Sequence, residues 1–193
     1  RRDRTAALLI GDAALGKNVF LAGDYPLRCE GQKSIAFEVA DRLGFRVPKN
    51  VVCPIGNGTL LYAVFKGFSE FKEAGLISKV PRIHGVQARG CNPVEKAWKE
   101  EATAITPQRR TRTMASAINC GNPVYGLQAL HAIRQTHGKA VSVLDTEMKS
   151  AKKRLALEGI DAELSGAAAY AGTLKLGLNE KTVVIITGNG LKE

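Results

Sequence analysis

The spacing of apolar residues along this chain alternates between two periods. Short apolar runs predict buried strands, and apolar residues three or four positions apart predict helices with one buried face. The predicted strands are Val19 to Ala22, Val51 to Ile55, Arg82 to Ala88, Ala140 to Leu144 and Thr182 to Ile186. The predicted helices are Thr5 to Lys17, Ser34 to Leu43, Thr59 to Glu73, Pro93 to Glu101, Met114 to Ile118, Val124 to Thr136, Asp145 to Glu158 and Ser165 to Leu174. Strands that alternate with helices indicate an α/β fold with a mostly parallel sheet flanked by helices.

Turn and capping residues mark the predicted ends of several elements. Gly75 is expected to cap the carboxyl end of one helix, and Asp145 is expected to cap the amino end of another. The Glu-Gly-Gln-Lys run at 30–33 is expected to start a helix. The segment 104–112 contains a proline and a run of charges, so it is predicted to be an exposed loop, and 120–123 is predicted to be a turn.

The segment between the strand Val51 to Ile55 and the following helix is the clearest candidate site. A strand that enters a helix through Gly56-Asn57-Gly58 exposes backbone N–H groups at the positive end of the helix dipole, which favours an anion and often a phosphate. Glycines are expected to let the backbone approach the anion without an intervening Cβ. A second glycine turn, 187–190, also follows a strand. Ligands in open α/β sheets bind beyond the carboxyl ends of strands, so the two turns predict a shared cofactor crevice.

The balance of charged residues leaves two classes of partner open. The formal net charge of +10 suits either nucleic acid or anionic small molecules. Aromatic residues make up only 6% of the chain and do not interleave with the basic clusters, which argues against a groove for single-stranded nucleic acid. Acidic neighbours of the third cluster predict a solvated helix face. The clusters are Arg1, Arg2 and Arg4; Arg109, Arg110 and Arg112; and Lys149, Lys152, Lys153 and Arg154.

Cysteine and histidine spacing predicts no metal site. The cysteines are widely separated, so we expect reduced and mostly buried thiols, and His84 is expected to be a packed strand residue. The sequence has no apolar stretch of membrane-spanning length and no signal peptide, so a cytoplasmic protein is expected. Because Arg1 is not an initiator methionine, we expect the sequence to start inside a longer protein. The cysteines are Cys29, Cys53, Cys91 and Cys120.

Six segments, taken in order, resemble one enzyme family. They are residues 26–38, which include Glu-Gly-Gln-Lys, then 54–61, 82–88, 117–123, 165–172 and 186–192, which include Thr-Gly-Asn-Gly-Leu-Lys. This succession resembles threonine synthase and its threonine-synthase-like relatives, which are pyridoxal-phosphate enzymes of the tryptophan-synthase-β type, or fold type II. The resemblance covers almost the whole chain. It implies a lyase that converts O-phosphohomoserine and water to threonine and phosphate.

The resemblance also implies roles for individual residues. Gly56, Asn57, Gly58 and Thr59 match the loop that holds the cofactor phosphate, in agreement with the anion site inferred from the helix terminus. Thr187 matches the threonine that hydrogen-bonds the pyridine nitrogen, where a neutral hydroxyl moderates the electron sink.

The same resemblance implies a substrate-binding residue and the binding partners of the protein. Arg28 matches the arginine that binds the substrate phosphate, and a guanidinium suits that task because it is always charged and binds two oxygens at once. The implied partners are a phosphorylated amino-acid substrate and a second copy of the chain in a homodimer. Neither nucleic acid nor a membrane is expected.

The chain also departs from the family pattern. The lysine that forms a Schiff base with the cofactor lies in a context resembling Ser-Phe-Lys-Asp-Arg, which has no match here, and no loop of the Ser-Gly-Asn type is present. Lys33 belongs to the Glu-Gly-Gln-Lys run and is not taken as its replacement. We therefore expect residues 1–193 to be the C-terminal portion of such an enzyme, with no catalytic residue of its own. Two further positions differ from the family: Asp24 replaces a polar residue that binds phosphate, and Leu164 replaces a common proline. These differences leave the identity of the substrate more open than the identity of the cofactor.

Three alternatives remain at this point. One is a related pyridoxal-phosphate lyase that acts on another β- or γ-substituted amino acid. Another is a phosphate- or nucleotide-binding α/β domain without catalysis, because residues 11–18 nearly match the P-loop pattern; Asn18 there lacks the hydroxyl that binds magnesium. The third is a nucleic-acid-binding module that depends on the net charge and should bind random DNA with a strong salt dependence.

Overall fold

The computed structural model describes Gly23 and residues 26–192, and four strands in that part form one parallel sheet. The strands are β1 (Asn50–Pro54), β2 (Arg82–Ala88), β3 (Ala140–Val143) and β4 (Thr182–Val184), in the order β3-β2-β1-β4. The helices are α1 (Pro26–Gln32), α2 (Ser34–Arg42), α3 (Thr59–Glu73), α4 (Pro93–Lys99), α5 (Gly126–Gln135), α6 (Asp145–Leu157) and α7 (Leu164–Leu176). The predicted α/β fold with a parallel sheet is confirmed.

The sheet is covered on both faces, which explains the continuous apolar run in β1. Val51, Cys53 and Ile55 pack into a core with α2, α3 and α5, whereas Val52 packs into a second core with α6 and α7. Successive strand residues point to opposite faces, so every residue of a strand that is covered on both sides must tolerate burial. The two central strands therefore carry almost no exposed side chain.

Helix α7 lies close against the sheet because its residues are small. Residues 164–169 are all buried, and a Cβ on Gly172 would overlap the side chain of Val86 in β2. This close approach places the amino end of α7 beside the carboxyl ends of the strands. The small-residue pattern in the sequence therefore marks the surface on which α7 meets the sheet.

Several predicted bounds agree with the structure and others differ by a few residues. Helix α3 and strand β2 have the predicted bounds. The predicted helix 114–118 is only a 3-10 turn, Ser116–Ile118, and the strand predicted to reach Ile186 ends at Val184. Helix α1 was not predicted. The run 30–33 does not start a helix, because Glu30 to Gln32 close α1 and Lys33 caps α2.

One of the two predicted capping residues is wrong, and the other is confirmed. Leu144, not Asp145, is the N-cap of α6; the Glu147 carboxylate accepts a hydrogen bond from the Leu144 N–H at 2.6 Å. The Asp145 carboxylate instead accepts hydrogen bonds from the Thr113 hydroxyl at 2.6 Å and the Met114 N–H at 3.1 Å. Asp145 thus anchors the long loop to α6. At the end of α3 the C-cap is Ala74, and Gly75 follows it with a φ of +72°, the left-handed conformation in which a glycine terminates a helix, so the predicted role of Gly75 is confirmed.

Some sequence predictions fall outside the described residues. These are the helix predicted for residues 5–17, the strand predicted for 19–22, the P-loop-like run at 11–18, the arginines at 1, 2 and 4, and the departure from the family pattern at 24. Among the helices of the described part, none has the length and hydrophobicity needed to cross a bilayer.

Candidate functional site

The two glycine turns meet at one edge of the sheet. Residues 56–58 follow β1 and residues 187–190 follow β4, and β1 and β4 are hydrogen-bonded neighbours with parallel direction. A cavity of about 330 Å³ lies between the turns. Its walls also include the exposed side of α1, the 3-10 turn and the amino end of α7. The lining residues are Arg28, Gln32, Pro54, Gly56, Asn57, Gly58, Thr59, Leu60, Ala117, Ile118, Glu163, Ser165, Thr187 and Gly188.

All six predicted site residues line this cavity. The four residues of the first turn, 56–59, form one wall, Thr187 lies on the second turn, and Arg28 reaches the cavity from α1. Eight other lining residues were not predicted individually, namely Gln32, Pro54, Leu60, Ala117, Ile118, Glu163, Ser165 and Gly188. Seven of these eight lie within the segments that carry the family resemblance, so only Glu163 lacked a signal. The roles of the six predicted residues stay predictions.

The amino end of α3 points its dipole at the cavity. Gly58 is the N-cap with a φ of +91°, no side chain caps the helix, and Thr59 begins it. The first-turn N–H groups of a helix have no partner within the helix, and the aligned peptide dipoles place partial positive charge there. With 15 residues the helix has a full dipole. This wall is suited to a phosphate.

The glycines of the first turn are required by packing within the protein. A Cβ on Gly58 would lie 2.6 Å from the carbonyl oxygen of Tyr125, and a Cβ on Gly56 would lie 2.7 Å from that of Ala117. Both positions are therefore kept small by the protein backbone of residues 117–125. The Tyr125 N–H also donates to the Asn57 carbonyl oxygen at 2.8 Å, which ties the turn to that segment.

The second turn packs against the start of α7. A Cβ on Gly166 would overlap the carbonyl oxygen of Thr187, and a Cβ on Gly188 would overlap the Glu163 carboxylate. Gly188 has a φ of +68°, a conformation that a side chain would strain. The Thr187 wall is therefore acidic through Glu163, and the opposite wall is electropositive through Arg28 and the α3 dipole.

Lys33 is held in an ion-pair cluster. Its ammonium lies 2.6 Å from the Glu30 carboxylate and 2.9 Å from that of Glu70, and Lys66 also pairs with Glu30. The hydrogen bond with Glu30, followed by that with Glu70, raises the pKa of Lys33 above its ordinary value. A lysine held in this charged state is a poor nucleophile. No lysine lines the cavity in the part of the chain that the structure describes.

His84 is a buried structural residue, as predicted. Its Nδ1 accepts a hydrogen bond from the Lys139 N–H at 3.1 Å, so the proton lies on Nε2, which donates to the Asn50 Oδ1 at 3.1 Å. Burial, and then the nearby charges of Arg82 and Lys139, lower the pKa of His84 to about 4. The four cysteines are buried thiols outside any disulfide, and burial raises the pKa of the Cys53 thiol to about 12.

The second and third basic clusters lie on separate elements outside the cavity lining. The second cluster, residues 109–112, lies in the predicted exposed loop, and the third lies on α6, where Lys149, Lys153 and Arg154 are exposed. This agrees with the predicted solvated helix face. None of these side chains lines the cavity between the glycine turns.

Comparisons with known proteins show the family to which this chain is related. The model of the family described as "Pyridoxal-phosphate dependent enzyme" matches residues 2–188. Threonine synthase of Methanosarcina acetivorans is 47% identical over 87% of this chain and 43% of its own length, and that of Methanocaldococcus jannaschii is 43% identical over the same shares. Threonine synthase of Mycobacterium tuberculosis is 35% identical over 87% of this chain and 46% of its own length. The chain thus spans less than half of these relatives.

Solved structures share the fold. Threonine deaminase isoform 2 from Solanum lycopersicum matches with a TM-score of 0.72 and 24% identity over 96% of this chain and 52% of its own. Maize serine racemase matches with a TM-score of 0.68 and 17% identity over 84% of this chain and 48% of its own. Such enzymes have fold type II, so the predicted fold type and the predicted resemblance to threonine synthase are confirmed.

Proposed function

From the premise that this chain belongs to the family of pyridoxal-phosphate-dependent enzymes, we propose that it supplies the cofactor- and phosphate-binding half of a lyase of the threonine-synthase type. The reaction would convert O-phosphohomoserine and water to threonine and phosphate. The observation that carries the proposal is the convergence of an uncapped helix terminus, two threonines and an arginine on one cavity. Sequence identity of up to 47% with threonine synthases supports the reaction class.

The residues present fit pyridoxal phosphate. The amino end of α3 offers N–H donors and partial positive charge, and Thr59 adds a hydroxyl at the same end. We place the cofactor phosphate there. The opposite wall carries the Glu163 carboxylate, which would repel a phosphate, so the uncharged end of the cofactor belongs at the Thr187 turn. There the Thr187 hydroxyl would bind the ring nitrogen.

Arg28 is placed for a second anion. It belongs to α1, and its guanidinium lies at the cavity wall on an exposed part of the helix. A guanidinium binds two phosphate oxygens with fixed geometry. We propose that Arg28 binds the phosphate of the substrate, and this distinguishes a phosphorylated substrate from an unphosphorylated amino acid.

The chain's own residues bind and orient, and the proton transfers need a further group. When bound, pyridoxal phosphate withdraws electrons from the carbons near the amino group, which makes proton removal there and loss of the γ-phosphate possible. Proton transfer requires a base, and the sequence context expected for the family lysine has no match in this chain. The proposal places that lysine elsewhere in the protein.

A spectroscopic titration of the purified protein with pyridoxal phosphate tests the cofactor assignment. We expect saturable binding at one site, competed by inorganic phosphate. Thr59→Val should weaken binding by about thirtyfold, since a hydrogen bond to a charged group contributes on the order of 2 kcal/mol. Thr146→Val serves as the control, because Thr146 is an exposed residue of α6. Equal affinities of the two variants would contradict the phosphate assignment.

The substrate assignment needs a separate measurement. Arg28→Gln should raise the KM for O-phosphohomoserine while leaving the affinity for pyridoxal phosphate unchanged. A preparation that turns over L-serine or L-threonine but not O-phosphohomoserine would instead favour a related lyase for another β- or γ-substituted amino acid. Binding to random DNA that depends steeply on salt, without phosphate competition at a single site, would favour a nucleic-acid-binding module.

A further inference from the structure

Cys120 contacts the proposed phosphate-binding turn from inside the protein. Its Sγ lies 2.8 Å from the Oδ1 of Asn57, and the thiol donates in this hydrogen bond. The cysteine is 6% exposed and does not line the cavity, whereas Asn57 does. Cys120 therefore touches the site through Asn57.

The backbone around Cys120 is held in place from two directions. The Cys120 N–H donates to the Ile118 carbonyl oxygen at 3.0 Å, and the Gln108 N–H donates to the Gly121 carbonyl oxygen at 2.8 Å. On the other side of the turn, the Tyr125 N–H donates to the Asn57 carbonyl oxygen at 2.8 Å. The thiol thus has a defined position relative to the turn, and the Asn57 side chain is fixed at its oxygen.

We propose that Cys120 is a positioning residue that sets the orientation of the Asn57 amide in the anion site. An asparagine side chain offers an acceptor oxygen and a donor nitrogen, and only the nitrogen can bind a phosphate oxygen. A donor that binds Oδ1 from inside the protein favours the orientation in which Nδ2 is the atom available to an anion. A reversed amide would place its oxygen toward the anion, and the two would repel each other.

The inference rests on the proposed phosphate site and is tested on the purified protein with two ligands, inorganic phosphate and pyridoxal phosphate. Cys120→Ala should weaken both by about fivefold, the effect of one ordinary hydrogen bond. Cys120→Ser retains an O–H donor and should restore affinity to within about twofold of the wild type. Cys91→Ala controls for the loss of a buried thiol, since Cys91 is fully buried and does not line this cavity.

A double-mutant cycle separates positioning from packing. If Cys120 acts through the amide of Asn57, then Cys120→Ala should have no further effect on phosphate affinity in an Asn57→Ala background. Wild-type affinity of Cys120→Ala, equal losses in the Ser and Ala variants, or additive effects in the cycle would each overturn the inference. Failure of the wild type to bind either ligand would overturn the proposed function together with it, whereas these three results would leave the proposed function intact.

Discussion

Protonation of His84 is expected to destabilise the fold as the pH falls below neutrality. The neutral ring joins Asn50 of β1 to the Lys139 N–H that precedes β3, and Asn50 also donates to the Thr182 hydroxyl of β4 at 3.3 Å. A protonated ring would carry an N–H at Nδ1, opposite the N–H of Lys139. The hydrogen-bond network around His84, which joins the amino ends of the strands, would then lose one hydrogen bond and contain a buried charge.

The size of the effect follows from the shift in pKa. The pKa of His84 is about 4 in the folded protein, against an ordinary value of 6.5. Because the folded-state pKa is the lower one, the stabilisation is complete above about pH 6.5 and is lost as the pH falls toward 4. At pH 5 the unfolded histidine is almost fully protonated and the folded one is not, so the free energy of unfolding should be lower by about 2 kcal/mol than at pH 7.5.

The measurement is urea unfolding at pH 7.5 and pH 5.0, followed by circular dichroism, on the wild type and on His84→Gln. In His84→Gln, the difference in the free energy of unfolding between pH 7.5 and pH 5.0 should be smaller than in the wild type by most of the expected loss of about 2 kcal/mol. This expectation holds whatever the stability of the variant at pH 7.5. His131→Gln is the matched control, because His131 is an exposed residue of α5. The same loss of stability in His84→Gln as in the wild type would refute the assignment of the neutral, buried ring.

Two further predictions concern the glycine turns. Gly58→Ala should lower both the free energy of unfolding and the affinity for pyridoxal phosphate, because the added Cβ would meet the Tyr125 carbonyl. Gly75→Ala is the control, because Gly75 has a similar positive φ but open space around it. Its free energy of unfolding should fall by only about 1 kcal/mol, and its affinity for the cofactor should not change. Unchanged affinity in Gly58→Ala would remove the turn from the site. Thr187→Val should alter the absorption spectrum of the bound cofactor and slow turnover without changing the unfolding midpoint, and a normal spectrum and rate would remove Thr187 from the site.

The main helices and strands could be predicted because their apolar residues repeat regularly. Prediction failed where contacts between distant residues determine the local structure. Helix α3 has a long apolar face and a glycine at each end, so its bounds follow from local pattern. Helix α1 is seven residues long, contains Gly31 and has no repeating apolar face, so nothing local marks it as a helix. Asp145 has the side chain of a good N-cap, but Thr113 and Met114 bind its carboxylate across 30 or so residues of chain, and no local pattern reports such a contact.

The same division applies to the site. Both glycine turns were predictable because parallel strands end at one edge of the sheet, and a strand followed by a glycine turn is visible in the sequence. The neighbouring position of β1 and β4 was not predictable from local pattern, and neither was the presence of Glu163 beside the second turn. Strand order and loop packing depend on contacts between distant residues, which one sequence does not display.

The adjacency of β1 and β4 also has a consequence for how the protein becomes functional during synthesis. Asn57 and Thr187 are separated by about 130 residues of chain, so the cavity requires a contact of very high sequence separation that forms only when the last strand docks. A nascent chain that has emerged from the ribosome as far as residue 181 would already contain the first turn and the amino end of α3. It would have no second wall, and cofactor capture should begin only after β4 has emerged.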